Sequence, residues 1–198
     1  MMIRRLIPSA VLTIGLAGLL AGCSSNNENS AAKGSLAISL GATGAPNAES
    51  LQAADHDGGD ALSGLASGAI TIAGIEARMA DRTWVPVETG LPVDVDLIAI
   101  MNAGAVATLP ADLLPEGDYD ALALRITQVQ VAPKSEPAIS LVRPESGWTV
   151  RVPVSFSIVA GRSTGVNLKL RCGSSFSRID GQFEFDPEID VEGVEHDR

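Results

Sequence analysis

Val150-Arg151-Val152-Pro153-Val154-Ser155-Phe156-Ser157-Ile158 decides the fold. Every second residue is apolar. Val150, Val152, Val154, Phe156 and Ile158 fall on one side of an extended chain, and Arg151, Pro153, Ser155 and Ser157 on the other. A period of two marks a strand with one face in a core and one in water. Pro153 has no N–H to give to a ladder. The strand is therefore expected at a sheet edge, or with its proline at a position that makes no ladder bond.

The same alternation extends outward from this stretch. In residues 35–40, Leu36, Ile38 and Leu40 share a face. Residues 69–80 begin with Ile70 and Ile72 in phase and continue with Ile75, Ala77 and Met79 out of phase, so a β-bulge is expected at Ala73-Gly74. Asp81-Arg82 is expected to turn the chain into a strand over 83–87. Leu114-Pro115-Glu116-Gly117 has the composition of a type I turn and feeds a long strand over 119–131. Ile179-Asp180-Gly181-Gln182 predicts a two-residue type I′ hairpin. That register pairs Phe176 with Phe185 and Arg178 with Phe183 on one face, with a packing cation–π contact between the second pair. Asp96 is placed to cap a short helix over 97–102 that Gly104 ends. Residues 41–68 are rich in glycine, alanine and serine and contain Asp55-His56-Asp57-Gly58-Gly59-Asp60. They are expected to form a long mobile loop. Short strands separated by turn signals imply an all-β fold: a single β-sandwich of mainly antiparallel strands, with one short helix or turn near 96–103.

The first 23 residues carry an address. Arg4 and Arg5 precede an uncharged stretch over 6–21, too short for a comfortable span of about 20 apolar residues. Leu20-Ala21-Gly22-Cys23 follows and resembles the lipobox of bacterial lipoproteins. That pattern is a branched apolar residue, two small residues that let a peptidase reach the backbone, and a cysteine whose thiol takes the lipid. Residues 1–22 are expected to be a lipoprotein signal peptide cut between Gly22 and Cys23. Residues 23–33 would be a flexible tether from lipidated Cys23, residues 34–192 the sandwich domain, and 193–198 an acidic tail. Ser24 is not the aspartate that commonly retains lipoproteins in an inner membrane, so an outer membrane is favoured if the cell has two. The expected location is the cell envelope, facing the periplasm or the cell surface.

From Cys23 onward the chain has 176 residues, enough for one domain with a real core. Without Arg4 and Arg5 it keeps 12 basic residues against 24 acidic ones, a net charge of −12. Such a chain is not expected to bind nucleic acid or anionic lipid electrostatically. With Cys23 lipidated, Cys172 has no intrachain partner. It is expected on the apolar face of a strand over 166–172, as a buried core thiol.

Several segments together resemble the lipoprotein family described as domain of unknown function 4382. They are Gly34-Ser35-Leu36-Ala37-Ile38-Ser39-Leu40, Ile72-Ala73-Gly74-Ile75-Glu76-Ala77 with Trp84-Val85-Pro86-Val87, Val95-Asp96-Leu97-Ile98-Ala99-Ile100-Met101-Asn102-Ala103-Gly104, and Leu114-Pro115-Glu116-Gly117-Asp118-Tyr119. The resemblance covers about residues 34–171 as a pattern of strands and turns. Gly44-Ala45-Pro46 stands where the family has an Asp-Ala-Pro stretch, followed by a longer insertion. The resemblance implies an envelope β-sandwich and no known activity.

Three groups of residues invite chemistry. From Phe183 to Glu192 the chain alternates without a break, with Glu184, Asp186, Glu188, Asp190 and Glu192 on one face. Asp94 and Asp96 repeat the pattern. Asp186, Glu188 and Asp190 with Asp94 and Asp96 are candidate calcium ligands, since calcium takes six to eight oxygens. The competing reading is a solvated edge strand whose charges deter aggregation. Asp55, Asp57 and Asp60 faintly resemble a calcium loop but lack its distal glutamate. Trp84 and Trp148 are candidates for stacking on a sugar, against core or rim packing. Hydrolysis is disfavoured: His56 lies in the expected loop, His196 is expected beyond any ordered element, and no nucleophile elbow, zinc motif or phosphate loop occurs. These residues predict a non-catalytic envelope module anchored by its acyl group, with an envelope protein or polysaccharide as possible partner. The alternatives are a calcium-stabilised adhesion or carbohydrate-binding module and, from another class, a carboxylate-based hydrolase.

Overall fold

In the computed structural model, the described residues are 31–43, 65–87, 90–102, 104–134, 137–141, 147–179 and 182–196. They belong to one compact unit, Ala31–Arg198. The signal peptide, Gly22, Cys23, most of the tether, the Asp55–Asp60 segment and Asp180-Gly181 lie outside the described residues, and so does the side chain of Arg178.

The chain folds as an all-β sandwich. Its strands are β1 (Lys33–Thr43), β2 (Leu65–Met79), β3 (Trp84–Pro86), β4 (Val93–Asp96), β5 (Ala107–Pro115), β6 (Gly117–Pro133), β7 (Ile139–Ser140), β8 (Trp148–Ile158), β9 (Ser163–Arg171), β10 (Phe176–Ile179), β11 (Gln182–Phe185) and β12 (Ile189–His196). Two short helices interrupt them, α1 (Leu97–Asn102) and α2 (Cys172–Ser175). One sheet runs β12-β9-β1-β5. The six-stranded sheet runs β3-β2-β6-β7, with β4 also on β2 and β8 also on β6. β10 and β11 form a separate hairpin. All pairings are antiparallel except β1 with β9.

The core is what the alternation demanded. Leu36, Ile38 and Leu40 of β1 and Val166, Leu168 and Leu170 of β9 meet Ile70, Ile72, Leu122 and Leu124 of the six-stranded sheet, all nearly or fully buried. On β8 the apolar set Val150–Ile158 is buried, while Arg151, Pro153 and Ser155 are exposed. Among the described residues β8 has β6 as its one strand partner and so stands at an edge, and the register slips where Pro153 faces Ala121. The predicted bulge is present: Ile72 pairs with Ile126 and Gly74 with Arg125, leaving Ala73 over. The Asp81-Arg82 turn forms, with Arg82 at φ 73° and the Thr83 N–H donating to Asp81 Oδ1 at 2.8 Å. Asp96 caps α1 by accepting from the Ala99 N–H at 3.0 Å, and Gly104 follows at φ +58°. The hairpin pairs Phe176 with Phe185 and Arg178 with Phe183, as the two-residue loop required.

Several expectations are corrected. Of the loop expected over 41–68, the two ends are strand, because β1 continues to Thr43 and β2 starts at Leu65, and residues 44–64 lie outside the described residues. Small residues at those ends suit close packing: a Cβ on Gly68 would sit 3.3 Å from Leu97 Cδ1. Leu114-Pro115-Glu116-Gly117 is a crossing between sheets rather than a type I turn. Pro115 pairs with Lys33 in one sheet and Gly117 with Ile158 in the other, while the Glu116 N–H donates to Ala32 O. Tyr119 Oη closes this corner by donating to Pro115 O at 2.8 Å. The run from Phe183 to Glu192 is not one strand. It leaves the hairpin after Phe185 and joins β9 at Ile189. Between them the Asp186 N–H donates to Ser175 O and the Glu188 N–H to Ser175 Oγ, both at 2.9 Å, around a proline that cannot donate. The acidic tail expected from 193 is strand through His196, because a register shift between Val191 and Gly193 brings Val194 opposite Val166. At the other end, the boundary at 34 moves back: Lys33 is already strand, and Ala32 O accepts a hydrogen bond. Cys172 is buried as expected, but it opens the single turn of α2 instead of ending a strand.

Candidate functional site

The residues singled out in the sequence do not converge. Asp94 and Asp96 lie on β4 at the six-stranded sheet, where Asp94 accepts from Thr71 Oγ1 at 2.6 Å and Asp96 caps α1. Asp186, Glu188 and Asp190 lie at the other sheet's edge or on the approach to it. Arg171 donates to Asp190 and reaches Glu188, and Ser174 Oγ donates to Glu188 Oε2 at 2.6 Å. Glu192 pairs with Lys169. The carboxylates offered for calcium are thus divided between two sheets, and those of Asp94, Asp96, Glu188 and Asp190 are engaged with protein donors. Among the described residues no group of three or more His, Cys, Asp or Glu side chains is placed to hold a metal ion.

The two tryptophans are also apart. Trp84 pairs with Arg78, beside the buried Ala77, and so lies on the outer face of the six-stranded sheet. The Arg78 guanidinium sits 5.6 Å from its ring centroid and donates to Asp120 at 2.7 Å. Trp148 shares the inner parity of Val150 and Val152 and packs edge-on to Phe185, with centroids 5.2 Å apart. One platform for a sugar cannot use both.

His196 corrects an expectation, since β12 holds it on an ordered element. Its Nδ1 lies 3.3 Å from Thr164 Oγ1, which donates to Ser157 O at 2.9 Å. Ser157 Oγ donates to Asp118 Oδ1 at 2.6 Å. A serine and a histidine therefore flank Thr164, but the serine proton is given to a carboxylate and not to the imidazole. A nucleophilic serine needs the base as its own partner. Cys172 is no better placed: burial pushes its thiol up to about 11, and a nucleophilic cysteine needs a depressed value.

A concavity lies elsewhere among the described residues, on the outer face of the six-stranded sheet. It is a groove of about 470 Å³ lined by Gly74, Glu76, Pro86, Leu91, Arg125 and Thr149, among others. The bulge builds it. Gly74 faces Arg125, and a Cβ on Gly74 would sit 3.2 Å from Arg125 Nε. The carbonyl of Ala73, the extra residue, accepts from Arg125 Nη2 at 3.3 Å. Along β6 the outward residues Ala121 and Ala123 are small, so the strand forms a floor. β8 supplies the opposite border: Thr149 faces Arg125, and exposed Arg151 faces Ala123. Glu76 flanks Ala123 from β2. Among the described residues Arg78, Lys169 and Arg171 have carboxylate partners within 4.0 Å, and Arg125 and Arg151 do not.

This groove is not legible from the sequence alone. Its signals were the bulge at Ala73-Gly74 and the arginine in Ala123-Leu124-Arg125-Ile126, the charge that breaks an otherwise apolar run. Which neighbours stand across from that arginine depends on strand pairing, which no local pattern supplies.

Comparison with family models, with curated proteins and with solved structures finds no match. The resemblance to domain of unknown function 4382 rests on the segments quoted above.

Proposed function

We propose that the protein is a lipid-anchored module of the cell envelope, which binds or scaffolds and does not catalyse. The observation that carries this reading is Leu20-Ala21-Gly22-Cys23 behind an uncharged apolar stretch, with a compact sandwich unit starting at Ala31. A cysteine that takes acyl chains cannot also hold a disulfide, and this core supports that division of labour. Cys172 is fully buried as a free thiol, and the fold closes around it by apolar packing. Each buried methylene of an acyl chain contributes about 0.8 kcal/mol, so two or three chains make a stable anchor. Ser24 favours the outer membrane in a cell with two membranes. The resemblance to domain of unknown function 4382 lipoproteins agrees with this address. Binding is favoured over hydrolysis by the commitment of Ser157 to Asp118 and by the buried thiol.

Mass spectrometry of the protein from fractionated membranes tests the proposal. The expected result is a mature chain beginning at Cys23 with a diacylglyceryl mass on its first peptide. An unmodified chain in the soluble fraction overturns it.

A further inference from the structure

We propose that the groove on the outer face of the six-stranded sheet is a binding site for an acidic sugar, with Arg125 taking the sugar's carboxylate. The inference rests on reading the sandwich as a binding module.

The groove offers three kinds of contact, and one ligand class needs all three. Its cation is Arg125, and Arg151 stands beside the groove on β8, opposite Ala123; both are exposed and without a carboxylate partner among the described residues, although the chain carries a formal net charge of −10. Arg125 is preset. One nitrogen is held by Ala73 O at 3.3 Å over a floor with no side chain at Gly74, which leaves its remaining donors for a planar carboxylate. Arg151 lies diagonally across the strand pair, roughly 7–8 Å away at the backbone. That distance lets both cations serve one short charged chain. The second kind of contact is polar and uncharged or acidic: the Thr149 hydroxyl and the Glu76 carboxylate accept from hydroxyls. A polyacid without donors would be repelled by Glu76. The third is apolar: exposed Pro86 and half-buried Leu91, beside the buried Val87, offer a border that suits the C–H face of a pyranose ring. Carboxylate, hydroxyls and an apolar ring face together describe a uronic acid.

The test is calorimetric titration of the full-length protein, extracted from membranes into detergent, with tetragalacturonate. Its methyl ester serves as the uncharged twin and hexaglutamate as an acidic peptide. The expected result is binding of the acid that weakens with added salt, with the ester and the peptide each at least tenfold weaker. Arg125→Ala should lower the affinity at least tenfold, Arg151→Ala by less, and Arg125→Lys should restore part of the loss. All three should melt where the parent does, because both side chains are exposed. Equal binding of acid and ester, no binding of the acid, or an unchanged affinity in Arg125→Ala overturns the site. Tighter binding of hexaglutamate overturns the sugar. Acylation is read on the same sample by mass. An unacylated chain that binds the acid fails the anchor alone, and an acylated chain that does not bind fails the groove alone.

Discussion

Cys172 shows how burial alone sets a side chain's chemistry. Its thiol is fully buried at the start of α2, and the loss of solvation raises its pKa to about 11. The thiolate is the reactive form, so a thiol reagent at pH 8 should label Cys172 only when the protein is unfolded. Rapid labelling of the native protein would contradict this burial. The same shift links folding to pH. An unfolded thiol ionises near 8.5, and the native one holds its proton to about 11. Between those values the unfolded chain has lost protons that the native chain keeps, so stability should fall as pH rises through that window. Denaturant titrations of the parent and Cys172→Ala across pH 8–11 should show a steeper decline for the parent. Asp96 is the complementary case, a carboxylate whose work is local. It caps α1 through the Ala99 N–H, and α1 carries Leu97, Ile100 and Met101 into the core. Asp96→Ala should cost about 1 kcal/mol in a urea titration, and Asp96→Asn much less.

Elements here are joined at points where a side chain would not fit. Gly34 lies in β1 under the β8–β9 turn, and a Cβ there would meet Val159 O at 2.2 Å. That turn is bonded on both sides of the glycine, by the Gly161 N–H to Lys33 O and the Ser35 N–H to Arg162 O. Since the obstacle is backbone, Gly34→Ala has to move the turn, at a cost on the order of 1–3 kcal/mol. The urea midpoint should drop with an unchanged slope. The legibility of elements follows the same physics. Alternation was readable wherever one face is buried, as in β8, and the Phe176–Phe185 register followed from a two-residue loop. The break at Asp186–Glu188 was not readable, because inside and outside still alternate there while Ser175, distant in sequence, replaces the ladder. The groove was hidden for a related reason. Ala121 and Ala123 read as weak strand residues, and only the pairing of β2, β6 and β8 makes them a floor between Glu76, Arg125 and Arg151.

At the scale of the molecule, β1 is the strand to which the proposed tether would lead. It is the strand nearest the proposed anchor, and it is central. β9 binds one edge in parallel register from Ser35↔Ser163 to Thr43↔Arg171, and β5 binds the other. Its partner β9 lies far along the chain, so this pairing closes a long loop and has to follow much of the remaining folding. Once made, it is covered on both edges and on its inner face by Leu36, Ile38 and Leu40. Among the described residues β12 has a partner on one edge only, and its carboxylates face solvent with Arg171 and Lys169 as half-exposed partners. Such surface pairs contribute little, at most about 1 kcal/mol each. Native-state hydrogen exchange should therefore find the β1 amides released only by global unfolding, and those of β12 by local opening at lower free energy. Exchange of β1 as fast as β12 would mean that the proposed tether would lead into a fraying strand. Slow exchange of β1 would mean that, in a chain anchored as proposed, a pull from a membrane would act on a strand held along both sides and would leave the groove on the six-stranded sheet formed.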